Sequence, residues 1–353
     1  MMKGLGKVDR DFLARTLVKN LGAKNESVIV GPGMGLDNAV ISLGRGKVMV
    51  VTADPISIIP EIGMEDSAWL TVHEIASDLA TSAVRPEFAV LDYNLPPSLS
   101  SEDFERYVKA VGKECAELGV AIVAGHTGRY PGSGFTVVGG GMMMGISSSK
   151  SYLTPAMVRE GDDIIMTKGS AIEATAVLAR MFPRTVEGEL GKHAAKRAAG
   201  YFRLASTFED AMVASSVGIR SEGVTSMHDA TEGGVLGGLF ELAQSSGRTL
   251  TVDVKKIMVS ADSSAVCKLF GLDPLVTLSE GTLLIACRPH RSGDVVERLE
   301  RRRIAACVVG SAGGRAGGRL MLREDGSKAR EYSPPKFDGY WQAYANALEK
   351  KWK

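Results

Sequence analysis

Gly31-Pro-Gly-Met-Gly-Leu-Asp-Asn-Ala-Val40 is the stretch whose reading decides the class of fold. It follows a strand-like run, Ser27–Val30, and lies roughly 20 residues ahead of Asp54, the spacing of a dinucleotide-binding fingerprint. That fingerprint needs its glycine loop to open a helix whose N-terminus faces a pyrophosphate. Here the loop runs into Asn-Ala-Val-Ile-Ser-Leu, whose β-branched residues favour a strand. The Rossmann reading therefore fails. What is left is strand, glycine loop carrying Asp37, strand, with an ordinary glycine hairpin as the competing explanation.

Outward from that loop, strand-like and helix-like patterns alternate. Ala39–Leu43, Lys47–Ala53, Glu87–Tyr93, Val120–Ala124 and Phe135–Ile146 read as strands. Ser67–Ser82 reads as a helix, because Trp69, Val72, Ile75, Ala76 and Leu79 recur at three-and-four spacing behind Asp66 and Ser67. Ser101–Leu118 is a second helix, stopped by Gly119. Near Ser147–Pro155 the composition shifts to Ser, Lys and Thr ending in proline, which sets a domain boundary at about residue 150. Beyond it come strand Asp163–Thr167, a helix after Gly169, a helical stretch Lys192–Ser216, helix Glu232–Ser245, and strands Thr282–Ala286 and Ala305–Gly310. Tyr340–Lys353 is amphipathic through Trp341, Tyr344, Leu348 and Trp352 and reads as a capping helix. The expected division is thus 1–150, 151–335 and a terminal helix at 336–353, each domain mixing strands and helices in the α/β (α+β) manner.

The chain has 353 residues, enough for two domains with a sizeable core at 44% hydrophobic and 24% charged residues. Lys plus Arg number 42 against 41 Asp plus Glu, a formal charge of +1 that offers no field for nucleic acid or a membrane surface. The longest apolar runs, such as Val48–Val51 and Met142–Ile146, fall well short of the roughly 20 residues that span a bilayer. The opening Met-Met-Lys-Gly-Leu-Gly-Lys-Val-Asp-Arg does not resemble a secretory leader. Cys115, Cys267, Cys287 and Cys307 stand far apart with no CxxC spacing, so a reduced, cytoplasmic protein without structural zinc is expected. No period of 20 to 50 residues recurs, which excludes solenoids and propellers.

Chemistry-bearing residues gather at the ends of these elements. Asp37, Asp54 and Asp78 each close or flank one, and Asp78 follows Glu74 by four residues, so two like charges share a helix face. A cation would remove that repulsion, and magnesium takes one or two carboxylates plus phosphate oxygens. Solvated surface acids are the plainer alternative. Ala124-Gly-His-Thr-Gly-Arg-Tyr130 reads as a loop after a strand, where His126 would serve as donor, base or ligand and Arg129 would pair with phosphate, a purely structural histidine being the plainer alternative. In Met227-His-Asp-Ala-Thr-Glu-Gly-Gly, Asp229 and Glu232 have capping-box spacing. Capping leaves Gly233 and Gly234 unexplained, since each costs a helix about 1 kcal/mol; an anionic phosphate at the helix N-terminus would account for them. The triple Met142–Met144 reads as a strand packed in a core or a subunit interface.

The series GPGMGLDNAV, VVTADP, IASDLATSAVRPEFAV, AGHTGRYP, YLTPAMVREGDDII, HDATEGGV and SEGTLLIA resembles, in this order, the aminoimidazole ribonucleotide (AIR) synthetase-like, or PurM, superfamily. That superfamily includes thiamine-monophosphate kinase, selenophosphate synthetase and the hydrogenase maturation protein HypE, and the sequence is most similar to HypE-like members. The resemblance covers residues 30 to 290 or so. It implies a two-domain fold whose N-terminal domains pair in a homodimer and form a barrel, with ATP beside it. It further implies an ATP- and magnesium-dependent enzyme, of phosphoryl-transfer or ligase type, that activates an oxygen of a small-molecule or protein-borne substrate. By position it gives the magnesium to Asp37, Asp54 and Asp78, and the nucleotide to Gly33, Gly35, Thr52, Gly125, Thr127, Arg129, Gly233 and Gly234. His126, Asp229 and Glu280 become the catalytic candidates. Two departures stand out. His126 occupies a position where HypE and thiamine-monophosphate kinase carry an acid, and no cysteine follows Cys307, so HypE chemistry on a C-terminal cysteine is not expected. A non-catalytic nucleotide-binding paralogue in maturation or sensing, and a thiamine-monophosphate kinase-like or selenophosphate synthetase-like enzyme, remain as alternatives.

Overall fold

The computed structural model describes residues 5–8, 10–324 and 328–353, leaving aside the side chains at positions 11 and 14. Residues 1–4 and 9, part of the stretch compared above with a secretory leader, lie outside the described residues. The chain forms two compact units. The first comprises Glu26–Gly31 and Asp37–Tyr152; the second takes Leu153–Lys353 together with the glycine-loop segment Pro32–Leu36 and the described residues before Glu26. The division between Tyr152 and Leu153 falls close to residue 150, while the described residues before Glu26 and Pro32–Leu36 group with the second unit.

In the first unit, β1 (Val28–Val30), β2 (Ala39–Gly44), β3 (Lys47–Ser57), β4 (Phe88–Leu95), β5 (Ala121–Arg129) and β6 (Val137–Ser148) form one sheet in the order β1-β2-β3-β6-β4-β5. Only β4 and β5 pair in parallel. The alternation in Lys47–Ser57 buries Val48, Val50, Thr52 and Ile56 on one face. A helix over Met64–Ala80 packs on that face through residues including Ile75 and Leu79, and a second over Ser101–Leu118 packs on the first. The second helix begins where Ser100 accepts a hydrogen bond from the Asp103 N–H (3.0 Å) and ends at Gly119 in the left-handed region. Tyr107, fully buried, donates to Thr71 Oγ1 (3.0 Å) and locks the two helices together.

The apolar run Phe135–Ile146 provides β6, which sits in the interior of the sheet between β3 and β4. Its glycines permit this: Gly141 faces Ile75 so closely that even a methyl group would overlap it. The motif Ala124–Tyr130 is not a loop after a strand. Through Arg129 it is strand β5, paired residue by residue from Leu91–Gly125 to Leu95–Arg129. Of the methionine triple, Met143 is fully buried, whereas Met142 points to the face the helices leave open, as Ile146 does, and both are exposed.

The second unit contains α1 (Arg10–Phe12), with a π-helical turn at Leu13–Leu17; the helices above are α2 and α3 in chain order. There follow α4 (Ile172–Met181), α5 (Pro183–Leu190), α6 (Lys192–Gly200), α7 (Phe208–Ser215), α8 (Gly234–Ser246), α9 (Ala261–Phe270), α10 (Pro289–Arg301) and α11 (Gly339–Glu349). Its strands are β7 (Asp163–Thr167), β8 (Val224–Ala230), β9 (Arg248–Asp253), β10 (Thr282–Cys287), β11 (Ala306–Arg315), β12 (Leu320–Arg323) and β13 (Arg330–Glu331). They order β13-β12-β9-β11-β7-β10-β8, with only the β9–β12 pair parallel. The core under α8 joins Val235, Leu239 and Leu242 to Ile164, Leu250, Leu284 and Val309. The helical stretch Lys192–Ser216 is broken at residues 201–207, where a 3-10 turn buries Phe202. The buried face of α11 is Tyr340, Ala343 and Ala347, so Leu348, counted on the packed stripe, is exposed.

Candidate functional site

In the first unit the site grows from Thr52 on β3. Its hydroxyl lies 2.7 Å from the Asp37 carbonyl oxygen and 3.0 Å from Asp78 Oδ2, able to donate to one at a time. This one group ties the residue after the glycine loop to the last turns of α2. Asn38 reinforces it by donating Nδ2 hydrogens to the Asp78 carbonyl (3.3 Å) and Thr81 Oγ1 (3.0 Å). The amide orientation this fixes leaves Asn38 Oδ1 buried without a hydrogen-bond partner among the described residues. Asp54 stands two residues beyond Thr52 and therefore shares its face. Asp78 sits near the C-terminal end of α2, where a carboxylate opposes the helix dipole. The Asp78 carboxylate and Asn38 Oδ1, held in one neighbourhood by the Thr52 and Asn38 hydrogen bonds, are hard oxygens of the kind magnesium takes.

His126 does not join this group. The pairing Asp54–Gly141–Leu91–Gly125 crosses the sheet in one row, and His126, one residue on, is paired with Asp92 on the opposite face. Three strand spacings, about 14 Å, separate β3 from β5. His126 Nε2 is instead 2.8 Å from Tyr130 Oη, and the rings stack. Gly125 is required by strand pairing, because a Cβ there would strike the Leu91 carbonyl. Arg129 donates to the carbonyls of Pro96 and Leu99 and lies 3.4 Å from Ser101 Oγ, so it secures the β4–α3 connection. Thr127 is exposed on β5.

In the second unit Asp229 is not a helix cap. It lies within β8, opposite Leu283, and is 1% exposed. The strand outlasts the capping-box pattern because β10 continues to pair with it through Ala230. Glu280, 5% exposed, precedes β10. Gly233 and Gly234 have a reason internal to the fold. Both have positive φ (86° and 64°), and a Cβ on Gly234 would come within 2.8 Å of the Leu275 carbonyl and 2.7 Å of that of Thr277. The Gly233 N–H is already given to Asp338 (2.8 Å). Gly35, φ 64°, similarly passes the Glu241 carbonyl, where a Cβ would sit 2.8 Å away; Gly33 meets only its neighbour Leu36.

Sequence reasoning missed a charged cluster beneath α8. Glu241 accepts from Arg10 Nη2 (3.0 Å) and lies 3.1 Å from His228 Nε2. Burial pushes its carboxyl up, but the His228 hydrogen bond and the charges of His228, Lys7 and Arg10 outweigh burial and hold it at about 2. His228 adjoins Asp229 in the sequence, the one signal available. Burial pushes the thiols of Cys115 and Cys287 up to about 11 and that of Cys267 to about 12, so these three are not thiolates at neutral pH.

The chain matches two family models, the N-terminal domain of AIR synthase related proteins over residues 35–147 and their C-terminal domain over 159–323. It is a member of the AIR synthase related (PurM) superfamily, with the two-domain mixed fold of that class. Within it the chain is HypE-like. It is 27% identical over 314 residues to a hydrogenase expression/formation protein of Methanocaldococcus jannaschii, covering 87% of this chain and 88% of that one. It is 26% identical over 259 residues to the carbamoyl dehydratase HypE of Cupriavidus necator, covering 72% and 69%. Among solved structures, HypE in a HypE–HypF complex superposes with a TM-score of 0.71 at 19% identity, covering 92% and 99% of the two chains. HypE in complex with ATP gives 0.67 at 20% identity, covering 93% and 98%. Among the described residues no helix is long and apolar enough to cross a membrane.

Proposed function

We propose that this chain is a cytoplasmic, ATP- and magnesium-dependent enzyme that activates a substrate oxygen by phosphoryl transfer, on a small molecule or on a group borne by a partner protein. The observation that carries it is the Thr52 hydroxyl, which lies within hydrogen-bond reach of both the Asp37 backbone carbonyl and the Asp78 carboxylate on the face that also bears Asp54. Asp37, Asp54 and Asp78 would hold the metal, with Asn38 Oδ1 as a neutral oxygen beside them. Magnesium bound there supplies charge neutralisation to phosphate oxygens. The relatives named as HypE and the HypE structure with ATP support nucleotide use. Asp229 and Glu280, buried carboxylates on neighbouring segments of the second unit, are suited to hold an acceptor and take its proton. Gly33, Gly35 and Thr127 remain candidates for backbone or hydroxyl contacts to the nucleotide.

We further propose a homodimer. Met142 and Ile146 leave an apolar strip on the sheet face that no helix of the first unit covers, and a second copy of that sheet would bury it in a barrel. One observation favours a second reading, nucleotide binding without turnover: His126, where an acid is expected, engages Tyr130 on the opposite face. Calorimetry with magnesium-ATP on the parent, Asp54→Asn and Asp78→Asn, followed by ADP release with candidate acceptors including thiamine monophosphate and selenide, tests both. Tight binding by the parent that both substitutions abolish is expected. Equal binding in all three would remove the metal assignment, and binding without ADP release from any acceptor would favour the second reading.

A further inference from the structure

The C-terminal helix contributes a carboxylate to the interior of the second unit. Asp338, 9% exposed, caps α11 by accepting from the Tyr340 N–H (2.8 Å) with Oδ1. The same Oδ1 accepts from Thr277 Oγ1 (3.1 Å), while Oδ2 accepts from the Gly233 N–H (2.8 Å). Thr277 lies three residues before Glu280 and Gly233 four residues after Asp229. One carboxylate thus spans the two segments that carry both buried acids. They meet again at a backbone bond from the Ser279 N–H to the Thr231 carbonyl (3.2 Å). Glu232, between them, accepts from the Trp341 indole (3.0 Å) and from the Lys7 N–H (2.8 Å).

Three donors converging on one buried carboxylate form a small anion cradle at the N-terminus of α8, the position where the sequence suggested a phosphate. The chain fills that cradle itself. We infer that Asp338 is a positioning residue: it holds the Asp229 and Glu280 segments in fixed relation, and the α8 N-terminus is a structural brace rather than a phosphate site. The functional part of this inference rests on the reading of Asp229 and Glu280 given above.

The test uses the full chain with Asp338→Gly and Asp338→Asn. Hydrogen exchange is followed over residues 229–236 and 275–282, with residues 306–315 in β11 as the control, and magnesium-ATP hydrolysis is measured in parallel. In Asp338→Gly both segments should exchange about tenfold faster together while the control is unchanged. Formate, a carboxylate that fits the emptied cradle, should restore protection in this variant and leave the parent unaffected. Asp338→Asn keeps one acceptor oxygen and should fall between, which covers the case in which the glycine variant does not fold. Hydrolysis should lose about tenfold in kcat with KM for ATP within about threefold. Exchange that rises in only one segment, or equally in the control, overturns the brace. Loosened segments with unchanged kcat overturn the positioning role. A parent that neither binds nor hydrolyses magnesium-ATP removes the nucleotide reading, and the exchange data then still decide the brace.

Discussion

Replacing Glu241 by Gln removes the charge that organises the cluster under α8 while keeping its shape. In the folded chain its carboxyl is held at about 2, against an ordinary value of 4.5. At about 1.36 kcal/mol per tenfold change in proton affinity, that gap corresponds to about 3 kcal/mol of stability from the ionised form. The carboxyl is depressed on folding, so its contribution is complete above 4.5 and is lost as pH falls toward 2. The glutamine side chain carries no such contribution at any pH. Urea unfolding of parent and Glu241→Gln should therefore differ by about 3 kcal/mol near pH 6, and the gap should narrow once pH drops below about 4.5. A gap that is absent near pH 6, or that stays constant down to about pH 3, would refute the coupling of Glu241 to Arg10 and His228.

Asp54→Asn and Asp78→Asn should each weaken magnesium-ATP binding at least tenfold in calorimetry while the melting temperature without ligand holds or rises, because a like-charge repulsion is relieved. Gly234→Ala should cost about 3 kcal/mol, since its Cβ meets two carbonyls at positive φ, whereas Gly247→Ala, with open space around it, should cost about 1 kcal/mol; denaturant titrations compare them. His126→Asn should leave magnesium-ATP affinity unchanged by calorimetry, because the ring lies on the sheet face away from Asp54; a large loss would restore His126 to the metal group. Light scattering should return twice 37.4 kDa at micromolar concentration, and substituting Met142 and Ile146 with Lys should shift it to the monomer.

Where local pattern and tertiary pairing agree, the sequence is legible. The alternation of Lys47–Ala53 places Thr52 and the acid beyond it on one buried face, and the three-and-four spacing of Trp69 to Leu79 marks α2. Where they diverge, it misleads. Gly125, His126 and Gly128 have the composition of a loop, yet β4 offers an unbroken row of partners and the segment pairs with it as a strand. Asp229 and Glu232 imitate a capping box because only three residues, 231–233, separate the end of β8 from the start of α8. Asp338 is legible as a helix cap ahead of Gly339-Tyr-Trp, but the donors at Thr277 and Gly233 come from segments more than 60 residues away in the chain. No local pattern encodes them.

The carboxylate of Glu232 receives the backbone of Lys7 on one oxygen and the indole of Trp341 on the other. Two stretches separated by almost the whole chain are thereby held within one side chain's reach of each other. Closing so long a loop by a weak contact costs entropy that only a covalent tie removes from the unfolded state. A peptide that ran back along α11, about 12 Å from Trp341 to the helix end, to the segment before Lys7 would make that tie, and new termini could be opened at the exposed Gly317. Glu232 marks the point near which such a linker would pass.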